Sequence, residues 1–317
     1  MKKRILITGG AGFAGHHLVE HLLVNTDWEI FVLDKLNYAS LGFDRLRDIK
    51  AYNDKRVMTL SADISQIASE GLLRELGQIH YLIHMAAETH VDNSIVDPGK
   101  FVQANVVGTY GALELARKLD SLENFVYFST DEVFGPAPEG VFYKEWDRYN
   151  CTNPYSATKA GGEELALAYA NTYGLPVIIT HTMNLFGERQ HPEKFIPLVM
   201  NAVNEGKTIT IHADPSKTKA GTRHYIHCRN MADALMFILK KGPWKREKFN
   251  IVGEREVDNL TLAKMIAEVI GKPLNYDMVD FHSSRPGHDL RYSLDGTKLA
   301  ELGWKPPVNF EESLQKT

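Results

Sequence analysis

Short apolar runs alternate along the first part of the chain with longer segments in which apolar positions recur every three or four residues. A run bounded by polar or glycine-rich turns predicts a buried strand, and the longer periodic segments predict helices. The predicted strands are residues 5–7, 29–33, 57–61, 81–85, 125–128 and 177–182, and the main predicted helices are residues 16–24, 101–119 and 155–173. Strands and helices that alternate in this way predict an α/β fold with a doubly wound parallel sheet.

The pattern changes after about residue 185, where a helix to Asn204, a short strand at 208–212 and a polar loop at 213–222 are predicted. Later segments at about 223–230 and 248–252 are expected to return to the first sheet as strands. We therefore predict two domains, residues 1–184 and a mainly substrate-binding lobe at 185–317.

A glycine-rich turn, residues 9–15, follows the first predicted strand and precedes a helix. In this context Gly9 permits a tight turn, Gly12 lets the backbone approach a pyrophosphate, and Gly15 lets the helix pack on the strand. The phosphates are expected at the helix N-terminus. A glycine cluster alone is also typical of an ordinary loop, so the interpretation depends on the end of the second strand.

Asp34 ends the second predicted strand, 19 residues beyond Gly15. This is the distance expected of an acid that binds the two hydroxyls of an adenosine ribose, and with the glycine turn it predicts a dinucleotide site. An acid here repels a 2′-phosphate and favours NAD over NADP, although neighbouring Lys35 weakens that argument. Ala86 and Ala87 after the fourth strand would let the backbone run beside the cofactor, or would simply pack against a helix.

A hydroxyl and two adjacent carboxylates, Thr130, Asp131 and Glu132, follow the fifth predicted strand. In open α/β sheets, ligands bind at the carboxyl ends of the strands. Taken alone, the same residues are typical of a solvated acidic turn. Tyr155 and Lys159 lie four residues apart and therefore share one face of the next predicted helix, where a nearby ammonium favours the phenolate. As an isolated pair they would be more typical of a helix surface than of an active site.

Three arginines in the second lobe, Arg223, Arg285 and Arg291, are candidates for binding a diphosphate, because the guanidinium fork matches its oxygens. Ordinary surface arginines remain the alternative. His90, considered alone, is more typical of a structural histidine than of a catalytic one.

Composition narrows the function classes. The 317 residues are 44% hydrophobic and 24% charged, with a net charge of −4 and no basic block, so binding of nucleic acid is not expected. The two cysteines, Cys151 and Cys228, form neither a disulfide framework nor a metal knuckle, and we expect no metal. We also expect no signal peptide, no membrane span and a cytoplasmic location.

Together, these motifs resemble the extended short-chain dehydrogenase/reductases that act on nucleotide sugars, whose fold is of the Rossmann type. More narrowly, Thr130-Asp131-Glu132 looks like the pattern of the dTDP-glucose 4,6-dehydratases. The likeness extends over nearly the whole chain, including residues 86–92, 192–194, 285–289 and 302–304.

The resemblance implies NAD as cofactor and a nucleoside-diphosphate-hexose as substrate. It implies these cofactor-binding residues: Gly9, Gly12, Phe13, Ala14, Gly15, Asp34, Lys35, Asn37, Asp63, Ile64, Met85, Ala86, Ala87, Thr89, Ala104, Tyr155 and Lys159. It implies these substrate-binding residues: Thr89, His90, Thr130, Asn184, Glu193, Lys194, Arg223, Asn259, Arg285 and His288.

The implied reaction begins with Tyr155, which takes the proton of the sugar 4-hydroxyl while C4 is oxidised, with Thr130 and Lys159 holding the hydroxyl and the ribose. Glu132 then removes the C5 proton as Asp131 protonates the departing 6-hydroxyl, and hydride returns to C6. One carboxyl must therefore be neutral while its neighbour is ionised. A homodimer formed by the helices at 101–119 and 155–173 is also implied.

Several positions depart from the family pattern. Leu185 replaces a second asparagine after Asn184, the segment 223–228 is altered and follows a longer loop, and Phe134 replaces a tyrosine. These changes lie mainly in the second lobe, so the base and the sugar stay open, with dTDP-glucose and UDP-glucose favoured. The loop at 213–222, with Lys217 and Lys219, is either a lid or a solvated turn. A nucleotide-sugar 4-epimerase is the main alternative function, and a non-catalytic NAD-sensing protein is a weaker one.

Overall fold

A computed structural model describes residues 2–66, 69–281 and 290–317. The chain divides into two compact units. The first comprises Met1–Thr130, Pro154–His181 and Ala232–Phe249, and the second comprises Asp131–Asn153, Thr182–Met231 and Asn250–Thr317. Each unit therefore contains segments from distant parts of the sequence.

A seven-stranded sheet forms the centre of the first unit. Its strands, numbered in chain order, are β1 Arg4–Thr8, β2 Glu29–Asp34, β3 Val57–Ser61, β4 Tyr81–His84, β5 Asn124–Thr130, β6 Val177–Thr182 and β10 Glu247–Ile251. They lie in the order β10-β6-β5-β4-β1-β2-β3, and the pairings among β1 to β5 are parallel. The interiors of the central strands, such as residues 5–7 in β1 and 125–128 in β5, are mainly apolar because helices cover both faces of such a sheet. The predicted doubly wound α/β fold is confirmed.

The helices that precede β6, numbered in chain order, are α1 Phe13–Asn25, α2 Asp44–Asp48, α3 Glu70–Leu76, α4 Val91–Val96, α5 Pro98–Phe101, α6 Gly108–Ala116 and α7 Pro154–Tyr173. The helix predicted at 101–119 is interrupted, since Val102–Val107 is π-helical. The interruption coincides with Asn105, whose buried side chain bonds to the backbone of a neighbouring segment. Single π turns of this kind are frequent at functional sites.

The second unit contains two small sheets and its own core. Its strands are β7 Asn184–Phe186, β8 Thr208–Ala213, β9 Thr222–His227, β11 Glu256–Asp258 and β12 Asn275–Asp280, and its helices are α8 Phe195–Glu205, α10 Asn259–Ile270, α11 Thr297–Glu301 and α12 Phe310–Lys316. Helix α9, Cys228–Lys241, lies mostly in the first unit. The sheet orders are β11-β9-β7 and β12-β8. The packed core includes Phe186, Val199, Ile211, Leu262 and Phe310.

One strand prediction is wrong in its pairing. The segment expected to return to the main sheet at 223–230 forms β9, which pairs with β7 and β11, whereas the segment at 248–252 does join the main sheet as β10. The physical reason lies in the polarity of β9. It carries Arg223, His224 and His227 among its six residues, whereas the interiors of central strands in the main sheet are mainly apolar.

Capping residues fix the ends of the helices in the second unit. The Asp258 side chain accepts a hydrogen bond from the Thr261 N–H at the start of α10, and Asn309 does the same for the Glu312 N–H in α12. Gly206 and Gly271 end α8 and α10 in the left-handed conformation.

Over residues 2–66, 69–281 and 290–317, no helix is both long and apolar enough to cross a bilayer. Within the same ranges, the His, Cys, Asp and Glu side chains form no group of three that would hold a metal ion. Cys151 and Cys228 are free thiols.

Candidate active site

The glycine turn between β1 and α1 is tightly packed. Gly9 has a positive φ of 72°, and a Cβ added to it would lie 2.7 Å from the backbone nitrogen of Ala86. A Cβ on Gly15 would lie 2.4 Å from the carbonyl oxygen of Gly9. Phe13 and Ala14 form the first turn of α1, and no side chain caps this helix. The N–H groups at the start of α1, together with the lack of side chains on Gly9, Gly12 and Gly15, leave a cradle that fits a pyrophosphate.

Asp34 ends β2 as predicted, and its carboxylate faces the glycine turn. Its Oδ2 accepts a hydrogen bond from the Ala11 N–H at 3.1 Å, and Oδ1 accepts one from the Leu36 N–H at 2.8 Å. Burial raises the pKa of Asp34, and these two backbone hydrogen bonds oppose the rise. The acid is therefore fixed beside the turn, where a ribose would lie.

Glu88 is a residue that the motif analysis did not select. Its Oε1 accepts a hydrogen bond from Asn37 Nδ2 at 2.8 Å and lies 3.9 Å from Lys35 Nζ. These contacts join the end of β2 to the segment after β4. The only signal in the sequence was its position between the small Ala87 and Thr89.

The other predicted cofactor residues surround the ends of β3 and β4. Asp63 accepts a hydrogen bond from the Ser65 N–H at 2.9 Å, and Ile64 is buried. The N–H of Met85 donates to the Thr8 carbonyl at 3.1 Å. Ala87 and Thr89 follow β4, and Ala104 lies in the π-helical turn. All of these residues belong to the first unit.

Asn105 is a second residue that the sequence analysis missed. It is 1% exposed, accepts a hydrogen bond from the Glu88 N–H at 2.9 Å and donates to the Glu88 carbonyl at 3.1 Å and to Thr158 Oγ1 at 3.0 Å. Thr158 Oγ1 in turn donates to the Tyr155 carbonyl at 2.8 Å. A polar residue amid small and apolar helical positions was the available signal.

Tyr155 and Lys159 lie on the first turns of α7, as predicted. The Tyr155 ring packs against Val91 and Phe101, and its backbone N–H donates to Ser94 Oγ at 3.2 Å. Lys159 Nζ donates to the Phe128 carbonyl at 2.6 Å. Burial lowers the pKa of Lys159 to about 7.

His84 is a neutral ring in this region. Its Nδ1 lies 2.7 Å from Thr8 Oγ1 and its Nε2 lies 3.1 Å from Thr109 Oγ1. Burial, followed by the nearby Lys159 charge, lowers the pKa of His84 to about 3. The ring therefore adds no competing positive charge near physiological pH.

Asp131 and Glu132 begin a 3₁₀ turn, Asp131–Phe134, directly after Thr130 at the end of β5. Burial and the neighbouring Asp131 raise the pKa of Glu132 to about 7. Three groups of the second unit oppose that rise: the amide of Asn153 and the charges of Arg223 and Lys194. A carboxyl with this environment can exchange a proton near neutral pH.

Asn153 is the third residue that was not selected as a site residue. Its Nδ2 donates to Glu132 Oε2 at 3.1 Å, and its side chain is 6% exposed. Nothing local in the sequence links Asn153 to a residue 21 positions earlier.

The predicted substrate residues have mixed surroundings. Arg223 is buried, its Nη1 donates to the Thr222 and Leu290 carbonyls, and its guanidinium lies over the Tyr292 ring. Asn259 Oδ1 accepts a hydrogen bond from the Tyr225 hydroxyl at 2.8 Å. Arg291 is committed to Glu256, with two contacts of 2.7 and 3.0 Å, which removes it as a free diphosphate ligand.

The remaining predicted substrate residues lie at element ends or outside the described part. Asn184 is exposed at the start of β7, and Lys194 precedes α8. Glu193 lies 3.5 Å from the His191 ring, and His90 precedes α4. Arg285 and His288 lie outside the described residues.

The family profile described as GDP-mannose 4,6 dehydratase matches residues 6–317. A dTDP-glucose 4,6-dehydratase of Salmonella typhimurium strain LT2 is 38% identical, covering 99% of this chain and 91% of that protein. A trifunctional protein of Arabidopsis thaliana, whose first named activity is UDP-glucose 4,6-dehydratase, is 37% identical over 99% of this chain and 46% of its own length.

Solved structures agree with these matches. DesIV of Streptomyces venezuelae, a dTDP-glucose 4,6-dehydratase crystallised with NAD, aligns with a TM-score of 0.87 at 36% identity, covering 99% of this chain and 95% of that one. A UDP-glucose 4-epimerase of Thermus thermophilus in complex with NAD also aligns with a TM-score of 0.87, at 28% identity over 99% and 97% of the two chains.

Proposed function

Because the chain belongs to the GDP-mannose 4,6 dehydratase family, we propose that it is an NAD-dependent nucleoside-diphosphate-hexose 4,6-dehydratase that acts on dTDP-glucose or UDP-glucose. The observation that carries this proposal is the pair of adjacent carboxyls after β5. Burial and Asp131 raise the pKa of Glu132 to about 7, so the pair can hold one proton near neutral pH, and the proposed reaction requires that proton to be on Asp131 when Glu132 acts as the base. A 4-epimerisation needs no such pair.

The residues around the glycine turn fit NAD. The turn is closed to any side chain at Gly9 or Gly15, and the fixed carboxylate of Asp34 lies beside it. We propose that the cofactor is held by Gly9, Gly12, Phe13, Ala14, Gly15, Asp34, Lys35, Asn37, Asp63, Ile64, Met85, Ala86, Ala87, Thr89, Ala104, Tyr155 and Lys159. Bound NAD would supply the hydride acceptor for C4 and later the hydride donor for C6.

Tyr155 is proposed to act first, as the base that takes the proton of the sugar 4-hydroxyl. A phenol is a weak base near neutral pH, so it needs a cation near it. Lys159 lies one helical turn further along α7 and can supply that charge. Thr130 is proposed to orient the 4-hydroxyl by hydrogen bonding.

Elimination of water is proposed to follow at the two carboxyls. The 4-ketone acidifies the C5 proton, which Glu132 removes while Asp131 gives its proton to the departing 6-hydroxyl. The electron pair of the C5–H bond forms the C5=C6 double bond, and water leaves. After hydride returns to C6 and a proton to C5, the product is a 4-keto-6-deoxyhexose.

The nucleotide sugar is proposed to be bound by Thr89, His90, Thr130, Asn184, Glu193, Lys194, Arg223, Asn259, Arg285 and His288. Arg223 has the strongest support among these, because its buried charge already acts on Glu132. The positive charge of Lys194 acts on the same carboxyl.

A panel of substrates tests the proposal. Purified protein is incubated separately with dTDP-glucose, UDP-glucose, UDP-N-acetylglucosamine and GDP-mannose, and the sugars are identified by NMR. A 4-keto-6-deoxy product from dTDP-glucose or UDP-glucose supports the proposal, whereas a C4 epimer alone establishes the epimerase. Tight NAD binding without turnover of any donor would favour the NAD-sensing alternative.

A cytoplasmic homodimer is proposed as the working state. The segments 102–116 and 154–173 expose Val102, Tyr110, Ala168 and Tyr173, whereas Leu113 is buried in the core of its own unit. Exposed aromatic and aliphatic residues on adjacent helices are typical of an association surface. Light scattering is expected to report two chains for the wild type and one for Tyr110→Glu, and a monomeric wild type would contradict the dimer.

A further inference from the structure

The segment that precedes α7 is hydrogen-bonded to the 3₁₀ turn that carries Glu132. The Asn150 N–H donates to the Val133 carbonyl at 3.0 Å, and Cys151 Sγ lies 3.5 Å from the same oxygen. Gly135 has a positive φ of 73°, and a Cβ there would lie 2.2 Å from the Asn150 carbonyl oxygen. These contacts involve mainly backbone atoms, so the position of the segment depends little on its side chains.

From this backbone position, the side chain of Asn153 hydrogen-bonds to the carboxyl of Glu132. Its Nδ2 lies 3.1 Å from Glu132 Oε2, and the Asn153 side chain is almost fully buried. An amide nitrogen can only donate a hydrogen bond, so Oε2 is held as an acceptor. The hydrogen bond therefore fixes the direction in which the carboxylate points.

We propose that Asn153 is a positioning residue for the elimination step, holding the Glu132 carboxylate in the direction from which it takes the proton from C5 of the sugar. The inference rests on the proposed dehydratase function. It adds a residue that acts through Glu132.

The charges facing Glu132 explain why a neutral donor suits this position. Asp131 opposes ionisation of Glu132, and Arg223 and Lys194 favour it. A third cation would weaken the carboxylate as a base, since a lower pKa reduces its affinity for the C5 proton. The amide stabilises the ionised form without adding charge, and it fixes the direction of the carboxylate.

The step balances through one proton and one leaving group. The C5–H bond breaks and its proton goes to the Glu132 carboxylate, the bonding electrons form the C5=C6 double bond, and the C6–O bond breaks. Asp131 gives its proton to the leaving oxygen, which departs as water. Asn153 exchanges no proton and keeps its hydrogen bond to Oε2 throughout.

The test compares Asn153→Ala and Asn153→Asp with the wild type in single-turnover reactions with dTDP-glucose or UDP-glucose, whichever the wild type uses. NADH absorbance reports C4 oxidation, and quenched samples report water loss, each as a function of pH. Loss of a hydrogen bond to a charged group predicts elimination slowed about tenfold or more at neutral pH, with its acid limb moved up by about one pH unit. Asn153→Asp keeps the shape but adds a like charge, and it is expected to move the limb further.

Asn150→Ala is the matched control. It removes an exposed amide three positions away in the same segment and leaves the backbone bond to Val133 intact, so elimination is expected to keep its wild-type pH profile. NADH formation by each variant shows that it is folded. If Asn153→Ala forms NADH and eliminates water with an unmoved acid limb, the inference is overturned. If the wild type itself gives no 4-keto-6-deoxy sugar, the proposed function fails instead, which is a separate outcome.

Discussion

Two glutamates show how this chain separates structural charge from chemical charge. Glu163 lies on α7 in the first unit and is fully buried. Its Oε1 is 2.8 Å from Lys248 Nζ and 3.1 Å from His181 Nε2. Burial alone would raise the pKa of Glu163, but the two basic partners lower it below its ordinary value.

Glu132 in the second unit has the opposite surroundings. Burial raises its pKa, and the adjacent carboxyl of Asp131 raises it further, to about 7. The amide hydrogen bond from Asn153 is a direct contact that opposes the rise. Burial acts in the same direction on both glutamates, so the partners decide which one is a fixed anion and which one can exchange a proton.

The largest effect is expected at Glu132. Glu132→Gln keeps the shape of the side chain and removes the proton transfer, so overall dehydration should fall by a factor of about 10²–10⁴. C4 oxidation should survive and appear as accumulated NADH. Tyr155→Phe is the contrasting variant and should abolish the NADH signal as well. Full dehydration by Glu132→Gln would remove this carboxyl from the mechanism.

The structural glutamate should show its effect in stability. Glu163→Gln leaves Lys248 buried without its carboxylate, which should lower the free energy of unfolding by about 3 kcal/mol or more. Glu164→Gln, one position further on the exposed face of the same helix, is the control and should change stability by no more than about 0.5 kcal/mol. Equal denaturant midpoints for the two variants would show that the buried cluster is not structural.

The comparison also predicts that ionisation of Glu132 destabilises the folded wild type as the pH rises, so that Glu132→Gln is a stabilising change at high pH. The unfolded chain releases this proton near its ordinary pKa of 4.5, whereas the folded chain retains it until about 7. Unfolding is therefore favoured increasingly between these values, by up to about 3 kcal/mol. Glu132→Gln should raise the melting temperature at about pH 8 and leave it unchanged at about pH 4. A variant that is less stable than the wild type at both pH values would contradict this assignment.

The smallest effect is expected in the loop at 213–222. Asp214 holds this loop through its own side chain, which accepts hydrogen bonds from the Thr218 and Lys219 N–H groups at 2.7 and 2.8 Å. Lys217→Ala combined with Lys219→Ala should therefore change KM by less than about threefold, as expected of exposed charges. A larger rise in KM with constant NAD content would identify the loop as a lid over the diphosphate.

The sequence predicted the frame of the site better than its interactions. Continuous apolar runs identified β1 to β6, and the turn chemistry at Gly9 and Asp34 identified the cofactor end of the sheet. Strand β9 was misplaced because a short strand that mixes polar and apolar residues does not reveal its pairing partner.

The contacts that set the chemistry were not readable from the sequence. Asn153 contacts Glu132, which lies 21 positions earlier, and Asn105 contacts Glu88, which lies 17 positions earlier. No local sequence pattern predicts either contact. The raised pKa of Glu132 depends on burial and on charges brought together by folding. Spacing identified the carboxyl as a candidate, but only the folded surroundings indicate which glutamate can act as a base.

The rate of water elimination as a function of pH tests the central claim most directly. In single turnovers with the preferred sugar nucleotide, run in D₂O and followed by NMR, the wild type should place deuterium at C5 of a 4-keto-6-deoxy product, with an acid limb near pH 7. Glu132→Gln should form NADH but lose both the deuterium incorporation and the limb. Unchanged deuterium incorporation by Glu132→Gln, or a wild-type product that is a C4 epimer without deuterium, would contradict the account.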